Sequence, residues 1–419
     1  MTMAVDNKDK VLNVPNLRFP KFKGEWELHP TTDYFEFKNG LNPDAKRFGT
    51  GTKFISVMDI LNNRYITYDK IITSVELKDD DLMDFGVNYG DVLFQRSSET
   101  LEDVGRANVY LDKQTALFGG FVIRGKKIGN YNPLFFRYLL SSPNVRKRII
   151  VKGAGAQHFN ISQDGLSKVS LYVPKEEEQE RVCGLLNLID ERIEAQIRII
   201  DKLKSLMQGI NNELMDNPKW AKVYVADFME FFSTNSLSWN QLSYDNGHVH
   251  NLHYGLIHSG LPTMVDCQQI SLPYIQDGSL PKQYVICKDG DVAFADASED
   301  TEEVGKAVEL TNMENQDIIC GLHTIHGRDF KNMTVGGFKG FAFNSKYFHD
   351  QLRRIAQGSK VYSINTDNLK SCYLYIPSIT EQQKIVGLLR CMQAKIDVVE
   401  QELRQYESQK KFLLKGLFV

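Results

Sequence analysis

A chain of 419 residues, 42% hydrophobic and 25% charged, has the length of two or three domains and enough apolar residues to bury real cores. The formal net charge of −3 gives no global sign of a polyanion partner, and the six cysteines show no C-x-x-C pair or framework spacing, so they read as reduced thiols of a cytosolic protein. The polar N-terminus MTMAVDNKDK lacks the apolar stretch of a signal peptide, and no run reaches the roughly eighteen apolar residues of a membrane span.

In chain order, the first predicted elements are alternating β-type runs such as KFISVMDI (53–60), followed by a Gly-Asp-Val-x-Phe element at 90–94. Charge is segregated around it. Residues 76–112 hold ten acids against three bases, whereas residues 113–163 hold nine Lys/Arg and no acid. The densest part is Arg146-Lys147-Arg148, with Arg137 and Lys152 nearby. This is the footprint of a phosphate-backbone contact, or equally of a solvated helix face paired with the acidic stretch before it. Asn132 and Pro133 mark a helix start. A short strand then ends in Tyr172-x-Pro174.

After that proline the apolar period changes to 3.5. Leu186, Ile189, Ile193, Gln196, Ile200, Leu203, Met207, Ile210 and Leu214 step by three and four, which is a coiled-coil seam about 42 Å long. The chain then repeats itself. GDVAFADASEDTEEVGKA (290–307) matches GDVLFQRSSETLEDVGRA (90–107) at ten of eighteen positions. At a shift of 203, Gly155, Ile161, Asp164, Leu166, Pro174, Gln179 and Gly184 also recur as Gly358, Ile364, Asp367, Leu369, Pro377, Gln382 and Gly387. The second seam is Leu389, Met392, Ile396, Val399, Leu403, Tyr406, Lys410, Leu413 and Leu417, with Thr380 and Gln383 as a capping-box pattern at its start. Two such helices in one chain most simply pair with each other. The predicted fold is α+β: two similar α/β-type units at 1–174 and 217–376, separated by two long, antiparallel-paired coiled-coil helices at 175–216 and 377–419, in a pseudo-twofold repeat. Antiparallel pairing predicts a rod with one unit at each end.

Catalytic signals are weak. The Gly120–Lys127 run mimics a phosphate-binding loop but lacks its Ser/Thr and reads as a strand, and Pro43-Asp44 with Glu76-Leu-Lys78 loosely mimics a metal-dependent nuclease. No Asn/Asp-Pro-Pro-aromatic loop or Pro-Cys pair suggests a DNA methylase. His248, His250, His253, His258, His323 and His326 lack a cysteine or carboxylate in metal-ligand spacing, so no metal site is predicted, and polar loops of this kind suit contacts to bases and phosphates.

The segment VPNLRFPKFKGEWE (14–27), the two Gly-Asp-Val strands and the repeated E-Q-x-x-V/I-x-G-L-L helices resemble the specificity subunit (HsdS) of type I restriction–modification systems, over nearly the whole chain. The resemblance implies two target-recognition domains, each reading one half of a bipartite, asymmetric sequence in double-stranded DNA. It implies spacer helices that dock two methyltransferase (HsdM-type) subunits, with or without two restriction (HsdR-type) subunits. It implies a cytoplasmic, non-catalytic chain, with S-adenosylmethionine, ATP and Mg2+ bound by the partners. It supplies no list of base-contacting residues. Charge and position therefore select the candidates Arg96, Arg146, Lys147, Arg148, Lys152, Gln157 and Asn160 in the first unit, and His253, Lys346, Arg353, Arg354, Lys360 and Ser363 in the second. Arg and Lys suit phosphates, and Gln, Asn and His suit base edges. The rival readings are a coiled-coil scaffold without nucleic acid and a self-contained DNA-modifying enzyme with an unrecognised site.

Overall fold

The Gly-Asp-Val element is a turn followed by a central strand, built the same way twice. Gly90 and Gly290 turn the chain with φ of 92° and 86°, a conformation that costs glycine little. Asp91 then accepts backbone hydrogen bonds from Asn88 and Lys127, both at 2.9 Å, and Asp291 accepts one from Lys288 at 2.8 Å. The strands that follow, Val92–Gln95 and Val292–Ala295, are buried at every residue.

The computed structural model describes residues 2–3, 13–78, 80–300, 303–358 and 361–419. Two compact units emerge, one formed by Met1–Ile197 with Gln401–Val419 and the other by Arg198–Glu400. The first has a four-stranded antiparallel sheet in the order Phe35–Asn39, Val122–Lys127, Val92–Gln95 and Ala107–Val109. The second repeats that order with Met229–Phe232, Thr324–Asp329, Val292–Ala295 and Ala307–Thr311, and adds Met264–Asp266 in parallel at the edge. A short helix covers each sheet. Pro133–Ser141 lays Phe135 and Phe136 near Phe35 and Phe94, and Phe338–Phe343 sets Phe343 against Phe294. Asn132 caps the first of these helices as the sequence predicts, accepting from the Phe135 amide at 3.1 Å.

Two local expectations change. The run 53–60 is a strand only as far as Ile55, because Ser56 and Asp59 form a capping box that starts the helix Val57–Asn62. The second long helix begins at Ile379, so the residue that caps it is Ser378, whose Oγ accepts from the Glu381 amide at 3.4 Å, rather than Thr380. Gly120–Lys127 contains the strand Val122–Lys127, as its pattern predicts.

The long helices are Glu176–Met215 and Ile379–Gly416. Every seam position on both is buried or half-buried, whereas Leu188, Leu206, Val398 and Phe412 between them are exposed. The helices run antiparallel. In the first unit Lys410 meets Asp190 at 2.6 Å and Gln196 meets Glu402 at 2.9 Å, and in the second Lys204 meets Glu400 at 2.7 Å, so partner numbers fall on one helix as they rise on the other. The two polar seam residues, Gln196 and Lys410, thus each have a partner.

The repeated glutamine explains the Glu-Gln pair that both long helices share. Gln179 is buried, accepts from the Asn132 amide at 3.0 Å and donates to the Pro174 carbonyl at 3.0 Å. Gln382 does the same with the Val335 amide at 2.9 Å and the Pro377 carbonyl at 3.0 Å. Each glutamine ties the first turn of a long helix to the loop that precedes the sheet-covering helix. In the N-terminal segment, Arg18 makes a two-pronged pair with buried Glu178, both contacts at 2.8 Å, and buried Trp26 packs on Phe135 and Phe418. Among the described residues no helix is long and apolar enough to cross a membrane.

Candidate nucleic-acid interface

Each unit presents a small hairpin. In the first, Ala154 and Asn160 exchange two backbone hydrogen bonds of 2.9 and 2.8 Å, and Phe159–Asn160 pairs antiparallel with Ser97–Ser98. In the second, Gln357 and Ser363 exchange bonds of 3.1 and 2.8 Å, and Tyr362–Ser363 pairs with Ala297–Ser298. Both turns require glycine. Gly155 has φ of +145° and an added Cβ would stand 2.0 Å from the His158 carbonyl oxygen. Gly358 has φ of +133° and its Cβ would stand 1.9 Å from that of Val361.

The side chains on this shared frame differ. Arg96 donates its amide to the Phe121 carbonyl at 2.9 Å, accepts from the Ile161 amide at 3.0 Å, and donates its guanidinium to the Gly120 carbonyl at 3.2 Å. Lys152, Gln157 and Asn160 are exposed, and Arg96, Lys152 and Asn160 line one open recess with Asn39 and Gln163. In the second unit Asp296 takes the backbone role of Arg96, bonded to the His323 carbonyl at 3.1 Å and the Ile364 amide at 2.8 Å, with its carboxylate 3.2 Å from the His323 ring. Exposed Ser363 stands where the first unit has Asn160. The two frames match, and a cation, Arg96, in one stands where an anion, Asp296, stands in the other. Lys360 lies outside the described residues.

The basic cluster divides. Arg146 donates to the carbonyls of Glu102 and Val104 at 2.8 and 2.7 Å, and burial, together with nearby Arg106, brings its guanidinium down to about 10. Arg148 donates to the Ser170 carbonyl at 3.1 Å and lies 4.8 Å over the Tyr172 ring. Both guanidinium groups are thus engaged within the unit, which corrects the picture of three cations offered outward. Lys147 alone of the three is exposed.

The candidates in the second unit also scatter. His253 is not offered outward as expected of a base reader: it is 2% exposed, its Nδ1 accepts from the Gly255 amide at 3.1 Å to cap a short helix, and its ring lies 4.5 Å from Trp239. Burial, with His323 nearby, lowers its proton affinity. Lys346 pairs with Asp350 at 2.6 Å, and Arg353 lies 3.8 Å from the same carboxylate. Both line a recess with Gln208 and Asn212 of the long helix. Arg354 is exposed. Of the other clustered histidines, His250 stacks on Tyr274 at 4.0 Å and bonds to the Leu272 carbonyl, His258 bonds to the Ala297 carbonyl, and His248 is exposed. The nuclease-like residues Asp44 and Lys78 form an exposed ion pair at 3.9 Å.

Comparison with known proteins bears on this arrangement. No family model matches the chain. A curated relative assigned as the MjaX type I restriction enzyme specificity subunit of Methanocaldococcus jannaschii is 20% identical over 406 residues, covering 93% of this chain and 92% of that one. The crystal structure of the type I restriction–modification S subunit from M. genitalium superposes with a TM-score of 0.53 at 15% identity, covering 97% of this chain and 99% of that one. The chain has the fold of a type I specificity subunit. A further chain, from a structural study of complex assembly and conformational transition in the type I system, gives a TM-score of 0.58 at 12% identity, covering 93% of this chain and 96% of that one.

Within this HsdS-like fold, two features escape the sequence reading. One is the Asp296–His323 pair at the position equivalent to Arg96, which the Gly-Asp-Val alignment could have flagged, since it places Arg96 on Asp296. The other is a buried ion network at the first seam. Asp190, 4% exposed, accepts from the Tyr138 hydroxyl at 2.8 Å and stands 2.6 Å from Lys410, 3.5 Å from Arg137 and 3.7 Å from Arg64.

Proposed function

We propose that this chain is the DNA-specificity subunit of a type I restriction–modification complex, with each unit reading one half of a bipartite, asymmetric site. The observation that carries this reading is the pair of matching hairpins, which hold Arg96, Lys152 and Asn160 in one unit and Asp296 and Ser363 in the other. A shared frame with different donors and acceptors suits two related readers of different bases. Lys147 and Lys152 contact phosphates, and Gln157, Asn160 and Ser363 face base edges. Arg354 adds positive charge close to the second hairpin.

The chain itself performs no chemistry. N6-adenine methylation with S-adenosylmethionine takes place on two methyltransferase subunits, and in a restricting system ATP- and Mg2+-dependent translocation and cleavage take place on two restriction subunits. The exposed apolar residues along the long helices, among them Leu188, Leu206, Leu388 and Val398, provide surface for docking those partners. The purified chain, assayed for methyl transfer to DNA with and without its methyltransferase, tests the reading. Transfer is expected only in the mixture, and transfer by the chain alone overturns it.

A further inference from the structure

Three side chains with no part in the hairpins meet inside the second unit. Cys287 precedes the Gly-Asp-Val turn, Cys320 ends the strand Asp317–Cys320, and His326 lies within the strand Thr324–Asp329. The sheet fixes all three. The Cys287 amide donates to the Ile318 carbonyl at 2.8 Å, Ile286 bridges Ile319, and His326 is in register with Ala293. They are 3%, 2% and 1% exposed, and their candidate ligand atoms lie within 4.8 Å of one another. The two Sγ atoms are 3.7 Å apart. Two thiolates bound at about 2.3 Å to one tetrahedral ion stand about 3.8 Å apart, so this spacing already matches.

The imidazole is also oriented. His326 Nε2 lies 2.7 Å from Asp291 Oδ2, and Asp291 is gripped in turn by Arg328 at 2.6 and 2.9 Å. The carboxylate holds that nitrogen and leaves Nδ1 as the free donor atom, the arrangement in which a metal-binding histidine is usually set. The first unit shows that the fold does not need these residues. Val87 donates to Ala116 as Cys287 donates to Ile318, and Gly125 pairs with Val92 as Gly327 pairs with Val292. The counterparts of Cys287, Cys320 and His326 are therefore Val87, Phe118 and Arg124, and Arg124 packs 5.3 Å over Phe118.

We propose that Cys287, Cys320 and His326 bind one metal ion of the zinc class through two thiolates and Nδ1, with Asp291 fixing the ring from behind. Soft sulfur and imidazole ligands select such an ion. On binding, each thiol gives its proton to solvent, the imidazole also releases the proton that its charged form carries on Nδ1, and that nitrogen binds through the lone pair so freed. The two thiolates then cancel the charge of a divalent ion, which makes burial tolerable. Three protein ligands leave the fourth tetrahedral position to a small ligand.

Titrating the reduced, chelator-stripped full chain with Co2+ as a spectroscopic stand-in tests the site. One equivalent is expected to bind with a thiolate-to-cobalt charge-transfer band that Zn2+ abolishes by displacement. Cys287→Val copies the residue of the first unit, so it should fold and lose the band. Asp291→Asn should keep the band and bind about 10–100-fold more weakly. The melting temperature of the unaltered chain should rise with added Zn2+, a reading that needs no variant. The proposal is overturned if the folded chain gives no such band, if Cys287→Val retains it, or if anaerobically isolated protein holds Cys287 and Cys320 as a disulfide.

Discussion

Lys147 and Arg146 are adjacent in sequence, yet one is exposed and the other bonded within the unit, and on the proposed reading only Lys147 meets DNA. Lys147 and Lys152 are exposed, whereas Arg146 is tied to the carbonyls of Glu102 and Val104. If each lysine neutralises one phosphate, Lys147→Ala with Lys152→Ala should lower the slope of log K against log salt by about 1.8, at about 0.9 per phosphate. Between 50 and 200 mM salt the double variant should then lose about twelvefold less affinity than the unaltered chain, and the effect should be alike on cognate and unrelated DNA. Arg146→Gln should leave the slope unchanged and instead cost about 1.5–3 kcal/mol of stability for each charged hydrogen bond lost. Fluorescence anisotropy across a salt series reads the slope, and chemical denaturation reads the stability. A slope that falls in Arg146→Gln, or stays fixed in the double lysine variant, would refute the assignment.

Gly155→Ala should distort the first hairpin at a cost of about 1–3 kcal/mol and impair recognition of one half-site, and Gly358→Ala should do the same to the other half. Methylation assays on DNA altered in one half at a time check this, and equal effects of either variant on both halves would count against it. Asp190→Asn leaves Arg64, Arg137 and Lys410 without their shared carboxylate and should destabilise the first unit by about 3–5 kcal/mol. Guanidinium unfolding followed by Trp26 fluorescence, with Trp220 and Trp239 replaced by Phe, measures it. A loss below about 1 kcal/mol would place Asp190 among ordinary surface charges.

The duplication, the antiparallel helices and their seams could be read from the sequence because an apolar stripe every three or four residues is a local pattern. The Asn132 cap was legible for the same reason. The roles of Arg146, Arg148 and His253 were not, since a charged or polar side chain looks the same in sequence whether it faces water or a buried carbonyl. Arg146 bonds to carbonyls more than forty residues away. His253 has its cap partner only two residues ahead, but its burial against Trp239 depends on tertiary packing. Cys287, Cys320 and His326 show no metal-ligand spacing because separate parts of the sheet, rather than one loop, bring them together. The repeated Gln179 and Gln382 were visible as a motif, but their purpose became clear only with the Asn132 and Val335 amides in place.

The central claim, that this chain supplies sequence specificity to a methyltransferase, is tested most directly by mapping N6-methyladenine in genomic DNA from cells that contain the methyltransferase, with and without this chain. The account predicts methylation at one bipartite, asymmetric sequence that disappears when the chain is removed. An unchanged methylation pattern without it would contradict the account.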